Sequence, residues 1–116
     1  MSFWKKLFGN DIPTLNIDEA ETRMQENPKP YLLDVRQPGE YTQGHIPGAK
    51  LIPLDQLANR AHKLPKNREI ICVCRTGNRS RIATRQLNEA GYQAINLKGG
   101  MIGWQQKGLP VKKGKK

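Results

Sequence analysis

Short apolar runs alternate with helical patterns along this chain, and this alternation narrows the choice of fold more than any other feature. Residues 69–73 (Glu-Ile-Ile-Cys-Val) form the most apolar run, and residues 31–35 (Tyr-Leu-Leu-Asp-Val) form a second one, which follows a proline. Such runs are typical of strands buried on both faces of a parallel sheet. Strands that alternate with helices predict an α/β domain with a central parallel sheet and helices on both faces. We expect residues 69–73 to form the central strand.

Weaker patterns complete this prediction. We predict further strands at 14–16, 50–52 and 94–97, which gives a sheet of about five strands. We predict helices at 18–26, 80–90 and 101–107, a helical turn at 39–43, and an amphipathic helix that carries Leu54, Leu57, Ala58, Ala61 and Leu64 and ends near Pro65. In the helix at 80–90, the apolar Ile82, Ala83 and Leu87 are expected to share one face.

The length of 116 residues is that of one ordinary domain. We predict a domain at 13–110, an amphipathic or flexible segment at 1–12 and a basic tail at 111–116. The net charge is +10, but six of these charges come from lysines near the two ends, which leaves +4 for the rest of the chain. These lysines are Lys5, Lys6, Lys112, Lys113, Lys115 and Lys116. We interpret them as solvated charges, so we do not expect specific nucleic-acid binding.

The start of the chain, MSFWKKLFGN, has too short an apolar run for a secretory signal, and no later stretch is long enough to span a membrane. As a helix, it would place four apolar side chains on one face, Phe3, Trp4, Leu7 and Phe8. A weak membrane or partner contact by residues 3–8 is therefore an alternative to packing on the domain. Two cysteines give no disulfide framework, which favours a reducing compartment. We expect a cytoplasmic monomer.

Residues 74–80 (Cys-Arg-Thr-Gly-Asn-Arg-Ser) lie between the predicted central strand and a helix. Sites in open parallel sheets lie beyond the carboxyl ends of the strands. The helix start, Arg75, Arg79 and the loop amides all stabilise an anion, so they should lower the pKa of Cys74. A merely buried cysteine would not need such neighbours. We predict that Cys74 is a nucleophile and that Cys72, inside an apolar strand, is a core residue.

Several motifs resemble the rhodanese family, in both order and spacing. They are Leu33-Asp34-Val35-Arg36 with Glu40, then Gly44-His45-Ile46-Pro47-Gly48-Ala49, then residues 74–80, and finally Gly99-Gly100 with Trp104. The resemblance runs from about Thr14 to Pro110. It implies a small parallel α/β domain that moves sulfane sulfur from thiosulfate or a persulfide donor to a thiol or cyanide through a persulfide on Cys74. It implies no cofactor, and the histidines and cysteines lack the spacing of metal ligands.

The resemblance also assigns roles to individual residues. An anion-binding loop would consist of Arg75, Thr76, Gly77, Asn78, Arg79 and Ser80, with Arg75 as the expected substrate contact. Two roles stay open for Arg79, namely anion binding or an internal ion pair with Asp34 or Glu40. The supporting residues, which would brace turns near the site, are Asp34, Arg36, Glu40 and His45.

Two alternative functions follow from the same family. Relatives that act on phosphate or arsenate have five residues between the cysteine and the arginine, whereas four residues, 75–78, separate Cys74 from Arg79. The shorter loop suits a single sulfur atom, so we do not expect a phosphatase or arsenate reductase. Other members are interaction modules or carriers that hold a persulfide for a partner protein. The sequence leaves this alternative open, including a protein such as a cysteine desulfurase as the sulfur donor.

Overall fold

The computed structural model describes residues 12–115. The predicted N-terminal segment, including the contact expected of residues 3–8, lies outside these residues except for Ile12. In the described part of the chain, no helix is both long and apolar enough to cross a membrane.

In the part of the chain that the structure describes, five strands form one parallel sheet, as the sequence predicts. They are β1 (Thr14–Leu15), β2 (Tyr31–Asp34), β3 (Lys50–Leu51), β4 (Glu69–Val73) and β5 (Gln93–Leu97). Their order in the sheet is β1-β5-β4-β2-β3, so the apolar run at 69–73 is indeed the central strand. In its register, Cys72 lies opposite Leu33 of β2, and Ile71 lies opposite Ile95 of β5. The parallel arrangement brings the carboxyl ends of all five strands to one edge.

Within residues 12–115, five α-helices connect and cover the strands. They are α1 (Ile17–Met24), α2 (Pro38–Gln43), α3 (Leu57–Arg60), α4 (Asn78–Glu89) and α5 (Gly100–Gln106). The start of α1 is fixed by a capping box, in which the Asn16 side chain accepts from the Glu19 N–H and the Glu19 carboxylate accepts from the Asn16 N–H. The predicted helices at 18–26, 80–90 and 101–107 are found. Their observed ends differ from the predicted ends by at most two residues.

The prediction of a single amphipathic helix before Pro65 was wrong. A 3₁₀ turn at Leu54–Gln56, the short α3 and a second 3₁₀ turn at Ala61–Lys63 take its place. A 3₁₀ turn has three residues rather than 3.6, so the apolar spacing does not stay on one face. Leu57 is buried, for example, while Ala58 is exposed. A different error affects α4, a regular helix, where Ala83 and Leu87 are buried but Ile82 is 55% exposed. Ile82 is the neighbour of Ala83 in sequence, so its side chain lies about 100° further round the helix.

Alternate residues of β4 enter two separate cores, one on each face of the sheet. Ile70 and Cys72 pack under α3 and α4 with ten further buried residues, among them Leu33, Leu57, Ala83, Leu87 and Cys74. Ile71 and Val73 pack on the other face with Leu15, Ala20, Ile95, Met101 and Trp104. Burial raises the pKa of the Cys72 thiol to about 12. Cys72 is therefore a neutral core residue at physiological pH.

The chain after α5 returns to α2. The indole N–H of Trp104 donates to the Pro110 carbonyl at 2.7 Å. The backbones of His45 and Lys112 exchange two hydrogen bonds of 2.9 Å, and the Gly114 N–H donates to the Thr42 carbonyl at 2.8 Å. The backbone of residues 110–114 is thus held on the domain, while the side chains of Lys112, Lys113 and Lys115 are exposed.

Candidate active site

Cys74 follows the last residue of β4, and the loop after it turns directly into α4. Gly77 caps the helix with a φ of 109°, a conformation that residues with a Cβ rarely adopt. This turn directs the Gly77 N–H back to Cys74, whose Sγ accepts its hydrogen bond at 3.0 Å. The sulfur therefore lies at the N-terminal end of α4, where the helix dipole and free amides favour a negative charge.

Ser80, in the first turn of α4, contacts the same sulfur. Its Oγ is 3.3 Å from Cys74 Sγ and 2.5 Å from Asn96 Oδ1 in β5. Since a hydroxyl has one proton, Asn96 and the sulfur compete for the Ser80 donor. Asn96 also donates from Nδ2 to the Gly77 carbonyl at 3.3 Å. Its side chain therefore contacts both Gly77 and Ser80, the two residues whose donors contact the sulfur.

These contacts change the acidity of Cys74. Burial raises the pKa of the thiol, but hydrogen bonds from the Ser80 hydroxyl and from the amides of Ser80, Gly77 and Thr76 outweigh it and bring the pKa below its ordinary value. The direction agrees with the sequence prediction. The cause differs in part, because the main stabilising groups are the hydroxyl and the amides rather than the arginines. The geometry thus favours the thiolate, the reactive form of a cysteine.

The start of α5 supports the loop from the opposite side. The Met101 N–H donates to the Cys74 carbonyl at 2.8 Å, and the Ile102 N–H donates to the Arg75 carbonyl at 3.1 Å. Gly100 permits this close approach, since a Cβ there would overlap the carbonyl oxygens of both Cys74 and Arg75. Gly100 therefore has a packing role that sequence analysis left unassigned.

Arg79 forms an internal ion pair, one of the two roles left open for it. Its Nη1 and Nη2 donate to the two carboxylate oxygens of Glu40 in α2, at 2.6 and 2.8 Å. These hydrogen bonds lower the pKa of Glu40 to about 2, and they raise the pKa of Arg79. The pair ties the start of α4 to α2.

Arg75 is the cation that remains available at the loop. It is exposed and forms no ion pair with any residue in 12–115. It lines a cavity of about 260 Å³ together with residues of the connection between β2 and α2, of α2 itself, of the turn between α2 and β3, and of α5, namely Arg36, Glu40, Gln43, Gly44, Met101, Ile102 and Gln105. Cys74 itself is only 1% exposed. A reagent that reaches the sulfur must be small at its reacting end.

The remaining supporting residues that the sequence predicts are Asp34, Arg36 and His45. Their hydrogen bonds described below join them to one another or to backbone carbonyls, and not to the Cys74 sulfur. The buried Arg36 donates to both carboxylate oxygens of Asp34 and, at 2.8 Å, to the Gly44 carbonyl. His45 Nδ1 is 2.8 Å from the Tyr41 carbonyl oxygen, and the two rings stack at 3.7 Å. These contacts fix α2 and the turn after it. In the loop itself, Thr76 and Asn78 are exposed.

Sequence analysis missed Asn96, which contacts both Ser80 and Gly77. A signal was present, because Asn96 is the polar residue in the otherwise apolar run Ala94-Ile95-Asn96-Leu97. A polar side chain inside a buried strand requires a hydrogen-bond partner, and here the partners belong to the site. No local sequence pattern indicates which partners these are.

The fold and this site define a class of protein, a parallel α/β domain that holds an acidic thiol in a loop of amides at a helix start. The family model of the rhodanese-like domain matches residues 16–107. The chain belongs to this family.

Related proteins agree with this assignment. A protein named sulfurtransferase from Allochromatium vinosum is 35% identical over 101 residues, which cover 86% of this chain and 94% of the relative. The putative sulfur carrier protein YrkF of Bacillus subtilis is 34% identical over 84% of this chain and 54% of its own length. The crystal structure of a rhodanese-like domain protein from Staphylococcus aureus has a TM-score of 0.79 at 34% identity, covering 87% of this chain and 99% of that one. The family is one of sulfurtransferases.

Proposed function

We propose that the protein transfers sulfane sulfur through a persulfide on Cys74. The observation that carries this proposal is the set of hydrogen bonds at Cys74 Sγ, from the Gly77 N–H at 3.0 Å and from Ser80 at 3.3 Å, which lower the pKa of the thiol. A thiolate at neutral pH is the form that attacks a sulfur donor.

In the first half-reaction, the Cys74 thiolate attacks the outer sulfur of thiosulfate. A new S–S bond forms, the S–S bond of thiosulfate breaks, and sulfite leaves with the bonding electron pair. In the second, a thiolate or cyanide attacks the outer sulfur of the persulfide, and Cys74 leaves as a thiolate. Charge and atoms balance in both steps, and no cofactor is needed. The kinetics are ping-pong, because the first product leaves before the second substrate binds.

The loop around Cys74 has the donors that a persulfide requires. The terminal sulfur of a persulfide is an anion. The amides of Thr76, Gly77 and Ser80 stabilise negative charge at the thiol, and we expect them to stabilise this anion as well. Arg75 is exposed beside the adjacent cavity, where it can attract the sulfonate end of an anionic donor. Arg79 is engaged with Glu40, so we assign it to holding the loop rather than to binding the donor.

A persulfide carrier for a partner protein is the second candidate. The similarity to YrkF, a protein named as a putative sulfur carrier, favours it. In that case a partner protein loads Cys74 or unloads it, and turnover with small substrates is slow. Both functions use the same persulfide. Intact-mass measurement tests for this intermediate, and a turnover assay with thiosulfate and cyanide distinguishes the two functions.

Intact-mass measurement after incubation with thiosulfate tests the intermediate. We expect a gain of about 32 Da, one sulfur atom, in the wild type and in Cys72→Ala, and no gain in Cys74→Ser. Cys72→Ala is the matched control, because it removes the other thiol of the same strand region. A gain that persists in Cys74→Ser contradicts the proposal. Multiple turnovers of thiosulfate and cyanide then indicate the enzyme, and a single loading without turnover indicates the carrier.

A further inference from the structure

Asn96 is a polar residue of β5 whose side chain makes two contacts beside the loop after Cys74. In the sheet it lies opposite Cys72 of β4, so both side chains are on the face that α4 covers. Asn96 is 6% exposed, and its partner Ser80 in α4 is fully buried. Solvent therefore does not replace a hydrogen bond that either side chain loses.

The Gly77 carbonyl fixes the orientation of the Asn96 amide. A carbonyl only accepts hydrogen bonds, so the Asn96 atom that lies 3.3 Å from it is the donor Nδ2. The other atom, Oδ1, then faces Ser80 Oγ at 2.5 Å. Because an amide oxygen can only accept, the Ser80 hydroxyl proton points at Asn96 in this contact.

This position of the proton decides what Ser80 offers to Cys74. A hydroxyl has one proton, and with that proton on the Asn96 side a lone pair of Ser80 Oγ faces Sγ at 3.3 Å. A lone pair accepts a hydrogen bond from a neutral thiol, but it repels a thiolate. To stabilise the thiolate, the hydroxyl must rotate towards the sulfur, and Asn96 Oδ1 then loses its donor.

We propose that Asn96 is a positioning residue that holds the Ser80 proton while Cys74 Sγ is neutral and releases it when Sγ becomes an anion. The neutral state is the thiol, or the inner sulfur of a persulfide. When the thiol ionises, its proton goes to solvent, and the Ser80 O–H rotates about the Cβ–Oγ bond to donate to the thiolate. Asn96 opposes this anion, because its own buried oxygen is left without a donor.

The role of Asn96 in sulfur transfer rests on the function proposed above. In the second half-reaction, the acceptor attacks the outer sulfur, the S–S bond breaks, and Cys74 Sγ leaves with the electron pair. The Ser80 proton then turns from Asn96 to Sγ, where it stabilises the leaving thiolate, and no further reactant is required. The acidity of the thiol does not depend on sulfur transfer, so it tests the role of Asn96 even if no persulfide forms.

The charges around the sulfur stay the same when Asn96 or Ser80 is replaced. The charged side chains and the second thiol on the elements around Cys74 are Asp34, Arg36, Glu40, Glu69 at the far end of β4, Cys72, Arg75, Arg79, Arg81, Arg85 and Glu89. Arg79 interacts electrostatically with Cys74 and is paired with Glu40. Burial raises the pKa of Cys72 to about 12, so this thiol is neutral. Neither β5 nor α5 contains a charged residue.

Alkylation of Cys74 by iodoacetamide in the full chain, followed against pH by peptide mass spectrometry, tests the proposal. Asn96→Leu removes the competing acceptor at a similar side-chain volume. The pH of half-maximal alkylation should therefore fall by about half a unit to one unit, the equivalent of one neutral hydrogen bond. In the Ser80→Ala background no hydroxyl is shared, so Asn96→Leu should leave this midpoint unchanged. If thiosulfate loads Cys74, the pH of half-maximal loading should fall by the same amount in Asn96→Leu.

Asn88→Leu is the matched control. The Asn88 amide also joins α4 to β5, by two hydrogen bonds of 2.8 and 3.0 Å with the Ala94 backbone, but these bonds do not involve Ser80 or Gly77. Asn88→Leu should leave the alkylation midpoint of Cys74 unchanged. Asn96→Ala, with the same expected direction of shift, takes the place of Asn96→Leu if circular dichroism shows that the leucine variant does not fold.

Three results would overturn the proposal. A midpoint that rises or stays constant in Asn96→Leu would mean that Asn96 directs the Ser80 hydroxyl to the sulfur or has no influence on it. An equal fall in the Ser80→Ala background would assign the effect to the hydrogen bond with Gly77 or to sheet packing. An equal fall in Asn88→Leu would show a general loosening between α4 and β5.

Discussion

Arg79 and Glu40, 39 residues apart, form a two-pronged ion pair that joins α4 to α2 near Cys74. The pair lies next to the loop for which we propose anion binding, and it withdraws one of the two loop arginines from that proposed task. Arg75 is left as the exposed cation of the loop. The division of roles between the two arginines is thus a property of the folded chain.

The ion pair predicts a specific dependence of stability on pH. The pKa of Glu40 falls from 4.5 to about 2 on folding, so the pair stabilises the fold above pH 4.5 and loses this effect as the pH falls towards 2. Both side chains are about one-third exposed, at 35% and 31%, so we expect about 1 kcal/mol or less. Urea unfolding of the wild type and Glu40→Gln between pH 7 and pH 2 measures it. A stability difference that stays constant with pH would contradict this origin.

Ser80 is predicted to set the acidity of Cys74. Ser80→Ala removes a hydroxyl donor to the sulfur, so the pKa of Cys74 should rise and the midpoint of alkylation by iodoacetamide should move to higher pH. Thr76→Ala is the matched control, because Thr76 acts on the sulfur through its backbone amide, which the substitution keeps. Equal midpoints in wild type and Ser80→Ala would mean that the hydroxyl proton belongs to Asn96.

Gly100 and Gly103 lie one turn apart on α5 and should respond in opposite ways to alanine. Gly100→Ala places a Cβ on the carbonyl oxygens of Cys74 and Arg75 at a φ of 53°, so it should cost about 2–4 kcal/mol and reduce sulfur loading. At Gly103 the added Cβ would lie 3.4 Å from Ile17, an acceptable contact. Gly103→Ala should therefore be neutral or stabilise by up to about 1 kcal/mol. Thermal unfolding compares them, and similar losses in both would refute the close-approach role of Gly100.

The buried pair of Asp34 and Arg36 should be strongly coupled. Asp34→Asn leaves the guanidinium of Arg36 buried without a counter-charge, which should cost about 3–5 kcal/mol. The double variant Asp34→Asn with Arg36→Met removes both charges, so its loss should be clearly smaller than the sum of the two single losses. Urea unfolding of the three variants gives the coupling energy. Additive losses would show that the two side chains act independently.

The sequence by itself determined the parallel α/β fold, the central position of residues 69–73, the placement of Cys74 at the end of that strand, and the family resemblance. These features depend on local patterns, because apolar runs, helix periodicity and the residues of one loop can be read without knowing distant contacts. Where local spacing was ambiguous, the prediction failed, as with the single helix expected before Pro65 and the buried face expected for Ile82.

Only the tertiary structure decided which groups meet. It paired Arg79 with Glu40, placed Asn96 beside Ser80, gave Gly100 its contact with the Cys74 carbonyl, and bonded the backbone of Lys112 to that of His45. Each of these contacts joins residues that are at least 16 positions apart. Their proximity results from the order of strands in the sheet and the return of the C-terminal segment to α2, and neither leaves a periodic signal in the sequence.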